Sequence, residues 1–184
     1  MKTLISKWQS ILLAIIIGAT LTTFGASEGW AQQKHKISGK TLAANSKYTQ
    51  QHVIDVGDVP GHQVRIFEIH RTFPKDPPVF EGVRTVEQWI RGSTDYTDTN
   101  GQAEVCYIYV LESGDRVFAR SNSVTQTITN PDGSKRSTVT VVATITGGTG
   151  KFLGIRGTIR STDVIDPKAG FTEGQFEGEY WLQK

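Results

Sequence analysis

The chain has 184 residues, with 20 Lys and Arg against 18 Asp and Glu, so its formal charge is only +2. This balance argues against a dedicated nucleic-acid-binding protein, which usually carries a basic excess or a basic stripe. Hydrophobic residues make up 37% and charged residues 21%, as in a globular rather than a disordered protein. The single cysteine, Cys106, excludes an intrachain disulfide framework and a cysteine-rich zinc site.

The first 31 residues have the order of a secretory signal peptide. Lys2 and Lys7 supply a positive start, residues 11–17 are apolar, and Gly29 and Ala31 place small residues at positions −3 and −1 of a cleavage site. The alternative is an uncleaved membrane anchor, but the apolar run is shorter than the roughly 20 residues that span a bilayer. We predict cleavage after Ala31 and a secreted or periplasmic protein, with no membrane association once the signal is removed.

The remaining 153 residues, with 18 positive and 17 negative side chains, have the size of one ordinary domain. Their composition favours β structure, because 15 Val, 11 Ile and 18 Thr stand against 4 Leu, 6 Ala and no Met. Glycines fall between the apolar runs, where turns belong. No segment has the 3.6-residue apolar period of a helix.

Turn signals divide the chain into eight predicted strands. Residues 98–101, 113–115 and 130–133 read Asp-Thr-Asn-Gly, Ser-Gly-Asp and Asn-Pro-Asp-Gly, which are typical of hairpin turns. The predicted strands are 53–56, 63–73, 83–97, 103–111, 116–129, 137–145, 154–165 and 175–182. The polar segment 32–51 is predicted as a flexible lead to a single domain over 52–184, or as one extra edge strand near 36–42.

Short hairpins between consecutive strands imply antiparallel neighbours in sequence order. Eight such strands form either a sandwich or a barrel, and tight connections leave little room for Greek-key crossings. We therefore predict an all-β fold, an eight-stranded antiparallel up-and-down β-barrel. Both faces of 103–111 and of 175–182 carry apolar side chains, a pattern that favours packing of the outside against another surface, such as a sister subunit.

The most specific motif is residues 143–157, Ala-Thr-Ile-Thr-Gly-Gly-Thr-Gly-Lys-Phe-Leu-Gly-Ile-Arg-Gly. Its order I-T-G-G-T-G-x-F-x-G-x-x-G after a strand resembles a signature of the allene oxide cyclase and dirigent proteins, and residues 178–182 are similar to their last strand. The resemblance implies an eight-stranded barrel that acts on ligands in its interior, without a metal or a redox cofactor. Allene oxide cyclase folds a reactive fatty-acid epoxide, and dirigent proteins steer phenoxy radicals or quinone methides. The related families often assemble as dimers or trimers, and both remain open here.

The glycine loop has a physical interpretation of its own. Gly147, Gly148 and Gly150 let the backbone bend tightly at a barrel rim, so that Phe152 can fold back and plug one end of the lumen. The alternative is a phosphate-binding loop. The segment lacks the Lys-Ser/Thr ending of such a loop, and no helix pattern follows it.

Two pairs of residues are candidates for catalysis and ligand binding. Glu68 and His70 lie two apart on a predicted strand, on the same face as apolar neighbours, where an acid and an imidazole can transfer protons. The alternative is a structural pair near the barrel mouth or in solvent. Glu87 and Trp89 also share a face, and a carboxylate beside an aromatic ring can define a pocket. The alternative there is a core tryptophan with charges at the rim.

Three further residues are candidates for ligand contacts. Tyr107 and Tyr109 can donate hydrogen bonds to a ligand, although buried tyrosines commonly bond to the protein itself. Arg120 matches the geometry of a carboxylate, and an exterior salt bridge is its alternative role. The four histidines are scattered without metal-ligand spacing, so we predict no metal site and no cofactor.

Three functions remain open from the sequence. The first is an exported barrel that binds or steers a small hydrophobic molecule in its lumen. The second is a cofactor-free isomerase or cyclase, in which Glu68 or Glu87 faces an apolar cavity. The third is a structural or interaction module with a filled interior.

Overall fold

The computed structural model describes residues 32–166 and 170–183, and the predicted signal peptide lies outside them. Within these ranges the protein is all-β, with two short 3₁₀ turns at Ala43–Asn45 and Gly150–Phe152. No described segment is a helix long and apolar enough to cross a membrane. The strands are β1 (His35–Leu42), β2 (Ser46–Asp55), β3 (His62–Thr72), β4 (Val79–Phe80), β5 (Val83–Thr97), β6 (Asn100–Leu111), β7 (Arg116–Thr129), β8 (Lys135–Gly148), β9 (Ile155–Asp166) and β10 (Gly170–Leu182).

The strands form one antiparallel sheet in the order β1-β10-β9-β8-β7-β6-β5-β3-β2, with β4 paired to β5. From β5 to β10 each strand pairs with the next, so the predicted up-and-down order is confirmed over that part of the chain. The sheet is not closed, because β1 and β2 are not hydrogen-bonded to each other. These two outermost strands are nevertheless joined by only Ala43–Asn45, and the Ser46 hydroxyl donates to the Leu42 carbonyl at 3.3 Å. The sheet must curl for its edges to meet at this corner.

The count of ten strands differs from the predicted eight, mainly at the amino-terminal end. Segment 32–51, expected as a flexible lead, contains β1 and the first half of β2, and β1 coincides with the alternative edge strand near 36–42. β2 begins at Ser46 rather than at Val53 because an exposed strand needs no alternation of apolar residues. The two-residue β4 lies between the predicted strands 63–73 and 83–97, where no strand was predicted.

The β5–β6 hairpin is confirmed, with its turn two residues earlier than the Asn-Gly pair. Thr97 pairs with Asn100, so the two loop residues are Asp98 and Thr99, both with positive φ (47° and 65°). Two positive φ angles define the type I′ turn that matches the twist of paired strands. The sequence signal therefore located the hairpin, and its register was set by the strands.

The two faces of the sheet differ sharply in burial. Along β7, Val117, Ala119 and Ser121 are buried, whereas Arg116 and Arg120 are exposed. The period of two is that of a strand with one face toward a core. The buried face points to the inside of the curl.

One end of the interior is filled by an aromatic core. Phe80 and Phe152 are fully buried, their ring centroids lie 6.4 Å apart, and Tyr180 packs on Phe80 at 5.3 Å. The Tyr180 hydroxyl accepts a hydrogen bond from the Glu81 amide at 2.8 Å, which fastens β4 over this end. Phe152, predicted to fold back from the glycine loop, is thus part of this core. Gly150 permits the necessary turn, with φ at 53° and no room for a Cβ beside the Asp115 carboxylate.

Candidate interior binding site

A cavity of about 460 Å³ lies inside the curled sheet, next to the aromatic core. All nine strands of the main sheet path contribute to its wall, and Tyr109 belongs both to the wall and to the core. Seven aromatic side chains line it: Tyr48, Phe67, Phe73, Tyr96, Tyr107, Tyr109 and Phe176. A volume of this size is typical of small-molecule sites, which are mostly apolar with a few placed polar groups.

Arg71 is the central polar group of the cavity wall. It lies on β3 and is only 8% exposed. Its Nε donates to the Ser46 hydroxyl at 2.8 Å and its Nη1 to Gln88 Oε1 at 3.0 Å. Burial lowers the pKa of Arg71 from its ordinary value, and the charge of Asp163 opposes that change. A guanidinium in such surroundings is rigid, because its donors are already engaged.

Among the described residues, Asp163 on β9 is the only acid in the cavity wall. The Ser161 hydroxyl donates to its Oδ2 at 3.1 Å. Burial raises the pKa of Asp163, while the guanidinium of Arg71 and the Ser161 hydrogen bond act in the opposite direction. Gly174, its partner on β10, makes room for the carboxylate, since a Cβ there would clash with Asp163 Oδ1. The carboxyl group is thus held in a space that only glycine leaves open.

Tyr107 and Tyr109 line the same cavity, as the sequence predicted for ligand contacts. Burial raises the pKa of Tyr107 to about 12, and it raises that of Tyr109 as well. The Tyr107 hydroxyl lies 3.1 Å from the Ser121 hydroxyl. Both phenols therefore stay neutral and can donate or accept hydrogen bonds inside the cavity.

Hydroxyl groups line the cavity toward the β5–β6 turn. The Tyr96 hydroxyl lies 2.6 Å from that of Thr125, and Thr127 bridges to Ser137 at 2.6 Å. Thr125 and Ser137 are buried. This part of the cavity is consequently rich in neutral hydroxyl groups, whereas Arg71 and Asp163 lie elsewhere in the wall.

A second arginine, Arg65, lines the cavity six residues before Arg71 on the same face of β3. At about 3.3 Å per residue the two Cα atoms lie roughly 20 Å apart along the strand. Arg65 Nη1 donates to Gln51 Oε1 at 3.3 Å, and its buried Nε has no hydrogen-bond partner. Among the described residues Arg65 forms no ion pair.

The four residues proposed from the strand pairs lie on the opposite face of the sheet. Glu68, His70, Glu87 and Trp89 point outward, so the prediction that Glu68 or Glu87 faces an apolar cavity is wrong. The physical reason is the phase of β3, whose odd-numbered residues face inward. The interior face holds the aromatic Phe67 and Phe73, which are bulkier than the Val64 and Ile66 used for the prediction.

The outward residues form a connected polar network. His70 Nε2 lies 2.7 Å from Glu87 Oε2, and Trp89 Nε1 donates to Glu87 Oε1 at 3.1 Å. Arg91 Nε donates to Glu68 Oε2 at 2.6 Å and its guanidinium lies 5.3 Å from the Trp89 ring centre. The rings of His70 and Trp89 stack at 4.3 Å. The structure therefore brings these candidates together, but as partners of one another rather than around a cavity.

Arg120, the last predicted ligand contact, also lies on the outer face, opposite Cys106. It lines only a shallow external groove, so it does not reach the interior. Sequence reasoning missed Arg71 and Asp163 because a charged residue within an apolar alternation resembles a residue at the sheet surface. The aromatic residues that alternate with Arg71 were the available signal.

Within 32–166 and 170–183, no three His, Cys, Asp or Glu side chains converge as metal ligands would. The described side chains of the cavity wall include one acid, two guanidinium groups, phenols and hydroxyls. Such a set can orient a small molecule and exchange protons with it. In the comparisons with known proteins, no protein-family model matches this chain and no curated protein is similar to it in sequence.

Proposed function

We propose that this protein is exported and binds a small amphipathic molecule inside a barrel-like sheet. The observation that carries the proposal is the cavity of about 460 Å³, whose wall is mostly aromatic and aliphatic but includes the Arg71–Asp163 pair. A filled interior would have favoured a purely structural role. A cavity with a few buried polar groups favours a binding role instead.

The curl of the sheet supports the barrel part of this proposal. Its two outermost strands meet at Ala43–Asn45, and Phe152 fills one end of the interior, as expected from the bend of the preceding glycine loop. Membership of the allene oxide cyclase and dirigent family, export through residues 1–31 and a homodimeric or homotrimeric state belong to the same proposal. The ligand's apolar body would contact Phe67 and Ile90, with its polar groups toward the charged side chains.

A second candidate function, a cofactor-free isomerase or cyclase, is favoured by Asp163. This carboxyl faces the cavity, and burial raises its pKa. A group that holds a proton in a dry site can donate it to a bound substrate and take it back. In this function Asp163 replaces Glu68 and Glu87 as the acid, and the D163N variant would bind the substrate without converting it.

The binding proposal is tested with a neutral apolar fluorophore, N-phenyl-1-naphthylamine, and a matched pair of variants. Val141 lines the cavity and is 7% exposed, whereas its neighbour Val142 is 50% exposed on the outer face. We expect saturable binding that Val141→Trp weakens at least tenfold, because the indole fills the cavity, and that Val142→Trp leaves unchanged. Absence of saturable binding, or equal loss in both variants with native circular dichroism, would overturn the proposal.

A further inference from the structure

The cavity wall carries an imbalance of charge that bears on the kind of ligand it accepts. Its charged side chains, among the described residues, are Arg65, Arg71 and Asp163. The wall therefore holds two cations and at most one anion. An apolar cavity with an excess positive charge is unfavourable when empty and favours a ligand that supplies the missing negative charge.

The two arginines differ in what already surrounds them. Arg71 faces the charge of Asp163 and donates hydrogen bonds to Ser46 and Gln88. Arg65 interacts only with neutral groups, the Gln51 side chain at the long distance of 3.3 Å and the Tyr48 phenol, and its Nε is buried without a partner. A buried donor that lacks an acceptor costs free energy until an acceptor arrives. Arg65 is therefore the group with capacity for a ligand anion.

The surroundings of Arg65 indicate the rest of the ligand. Phe67 follows it on the inner face of β3, and Tyr48 makes an edge-to-face contact with that ring at 6.1 Å. Tyr96 lies in the same part of the wall. Rings arranged around a guanidinium accept a flat aromatic body by edge and face contacts, and they fix its orientation better than that of a flexible alkyl chain.

We propose that the ligand of this cavity is an aromatic carboxylate, bound with its carboxylate on the Arg65 guanidinium and its ring against Phe67. This assignment rests on the proposed binding function and adds to it the charge and the chemical class. A planar guanidinium pairs with a carboxylate through two parallel hydrogen bonds. The unpartnered Nε and one terminal nitrogen of Arg65 provide such a pair of donors.

The test compares 2-naphthoate with 2-naphthamide by titration calorimetry, since the two probes differ mainly in charge. The intact protein is expected to bind 2-naphthoate at least tenfold more tightly. In Arg65→Gln this preference should fall below twofold with the amide affinity retained, and Arg65→Lys should restore part of it. Arg120→Gln, which removes an exposed arginine from the outer face, is the matched control and should leave both affinities unchanged.

The outcomes separate the two proposals. Equal affinity for the two naphthyl probes, or an unchanged preference in Arg65→Gln, overturns the assignment of the anion while leaving the cavity as a binding site. Binding of decanoate as tight as that of 2-naphthoate overturns the aromatic class. Failure of both naphthyl probes and of the neutral fluorophore instead removes the binding function itself.

Discussion

The outer and inner faces of β3 and β5 carry similar polar groups in very different surroundings. On the outer face, Glu68 pairs with Arg91 and Glu87 with His70, with side chains between 16% and 49% exposed. On the inner face, Arg71 is 8% exposed and is balanced by Asp163 across the cavity. Water screens the outer pairs, whereas the inner pair interacts in a medium of low polarity.

This difference shows why the more conspicuous cluster is the weaker candidate site. The outer network satisfies its own hydrogen bonds, and solvent would compete with any ligand there. The inner groups face a partly open cavity whose walls are largely apolar. Polar groups in such a space are costly, so their presence there is better explained by binding than by stability.

The largest expected contrast between the faces comes from removing one aromatic ring on each. Phe80→Ala empties a fully buried position and should lower the free energy of unfolding by about 3–5 kcal/mol. Phe118→Ala, on the partly exposed outer face, should cost clearly less, since water already reaches that ring. Urea unfolding followed by tryptophan fluorescence measures both. Equal losses would mean that the interior is not the core of the fold.

A smaller difference in stability loss is expected between a buried arginine, Arg71, and a half-exposed one, Arg91. Arg71→Met leaves the Asp163 carboxyl without its cation and should cost about 3 kcal/mol. Arg91→Met removes a cation that is half exposed, and its cost should be less than a third of that. The same unfolding assay compares them. A larger effect of Arg91→Met would show that the outer network, and not the inner pair, stabilises the sheet.

The fit around Asp163 gives a third contrast, between two glycines. Gly174→Ala places a Cβ against the Asp163 carboxylate, and such overpacking should cost about 2 kcal/mol. Gly147→Ala is the control, because the nearest atom to its added Cβ is 3.8 Å away. The cost of Gly174→Ala should fall in an Asp163→Ala background, where the Thr41 hydroxyl, 2.7 Å from the added Cβ, is the close contact that remains. An undiminished cost there would mean that the clash with Asp163 is not its origin.

The sequence predicted the strand-rich architecture better than it predicted the site. Hairpin turns such as 113–115 have local chemistry that defines their geometry, so β5 to β10 could be located from composition and turns. The plug formed by Phe152 could likewise be predicted, because its glycine loop is local. β2 and β4 could not, since an exposed edge strand and a two-residue strand carry no alternating pattern.

The site depends on which face of each strand is interior, and that choice is made by the whole sheet. Both faces of β3 carry large side chains, so the pattern alone did not decide whether Glu68 or Arg71 faces the interior. Tyr107 and Tyr109 were predicted as ligand contacts from their hydroxyl groups, and both line the cavity, although both faces of their strand carry apolar side chains. Arg71 on β3 and Asp163 on β9 line the same cavity although they are almost a hundred residues apart in sequence, and no local pattern contains this arrangement.

The smallest expected effect concerns pH. The contributions of the inner carboxyl group, Asp163, and of the outer one, Glu87, to the free energy of unfolding should depend on pH with opposite signs. Burial raises the pKa of Asp163 above its ordinary value of 3.8, so the folded protein holds this proton more tightly than the unfolded chain does. Its contribution to stability is then complete below that value and is lost as the pH rises through the folded-state pKa. Hydrogen bonding from His70 lowers the pKa of Glu87 below 4.5, so its contribution is present above that value and is lost as the pH falls.

The difference in free energy of unfolding between the intact protein and each carboxyl variant should therefore change in opposite directions as the pH rises. The advantage of the intact protein over Asp163→Asn should decrease from about pH 4 upward, and its advantage over Glu87→Gln should increase over the same range. Urea titrations at a series of pH values measure both differences, and global changes in charge cancel in the comparison. Slopes of the same sign would mean that Asp163 is as well solvated as Glu87, and the dry cavity on which the binding site depends would then be open to water.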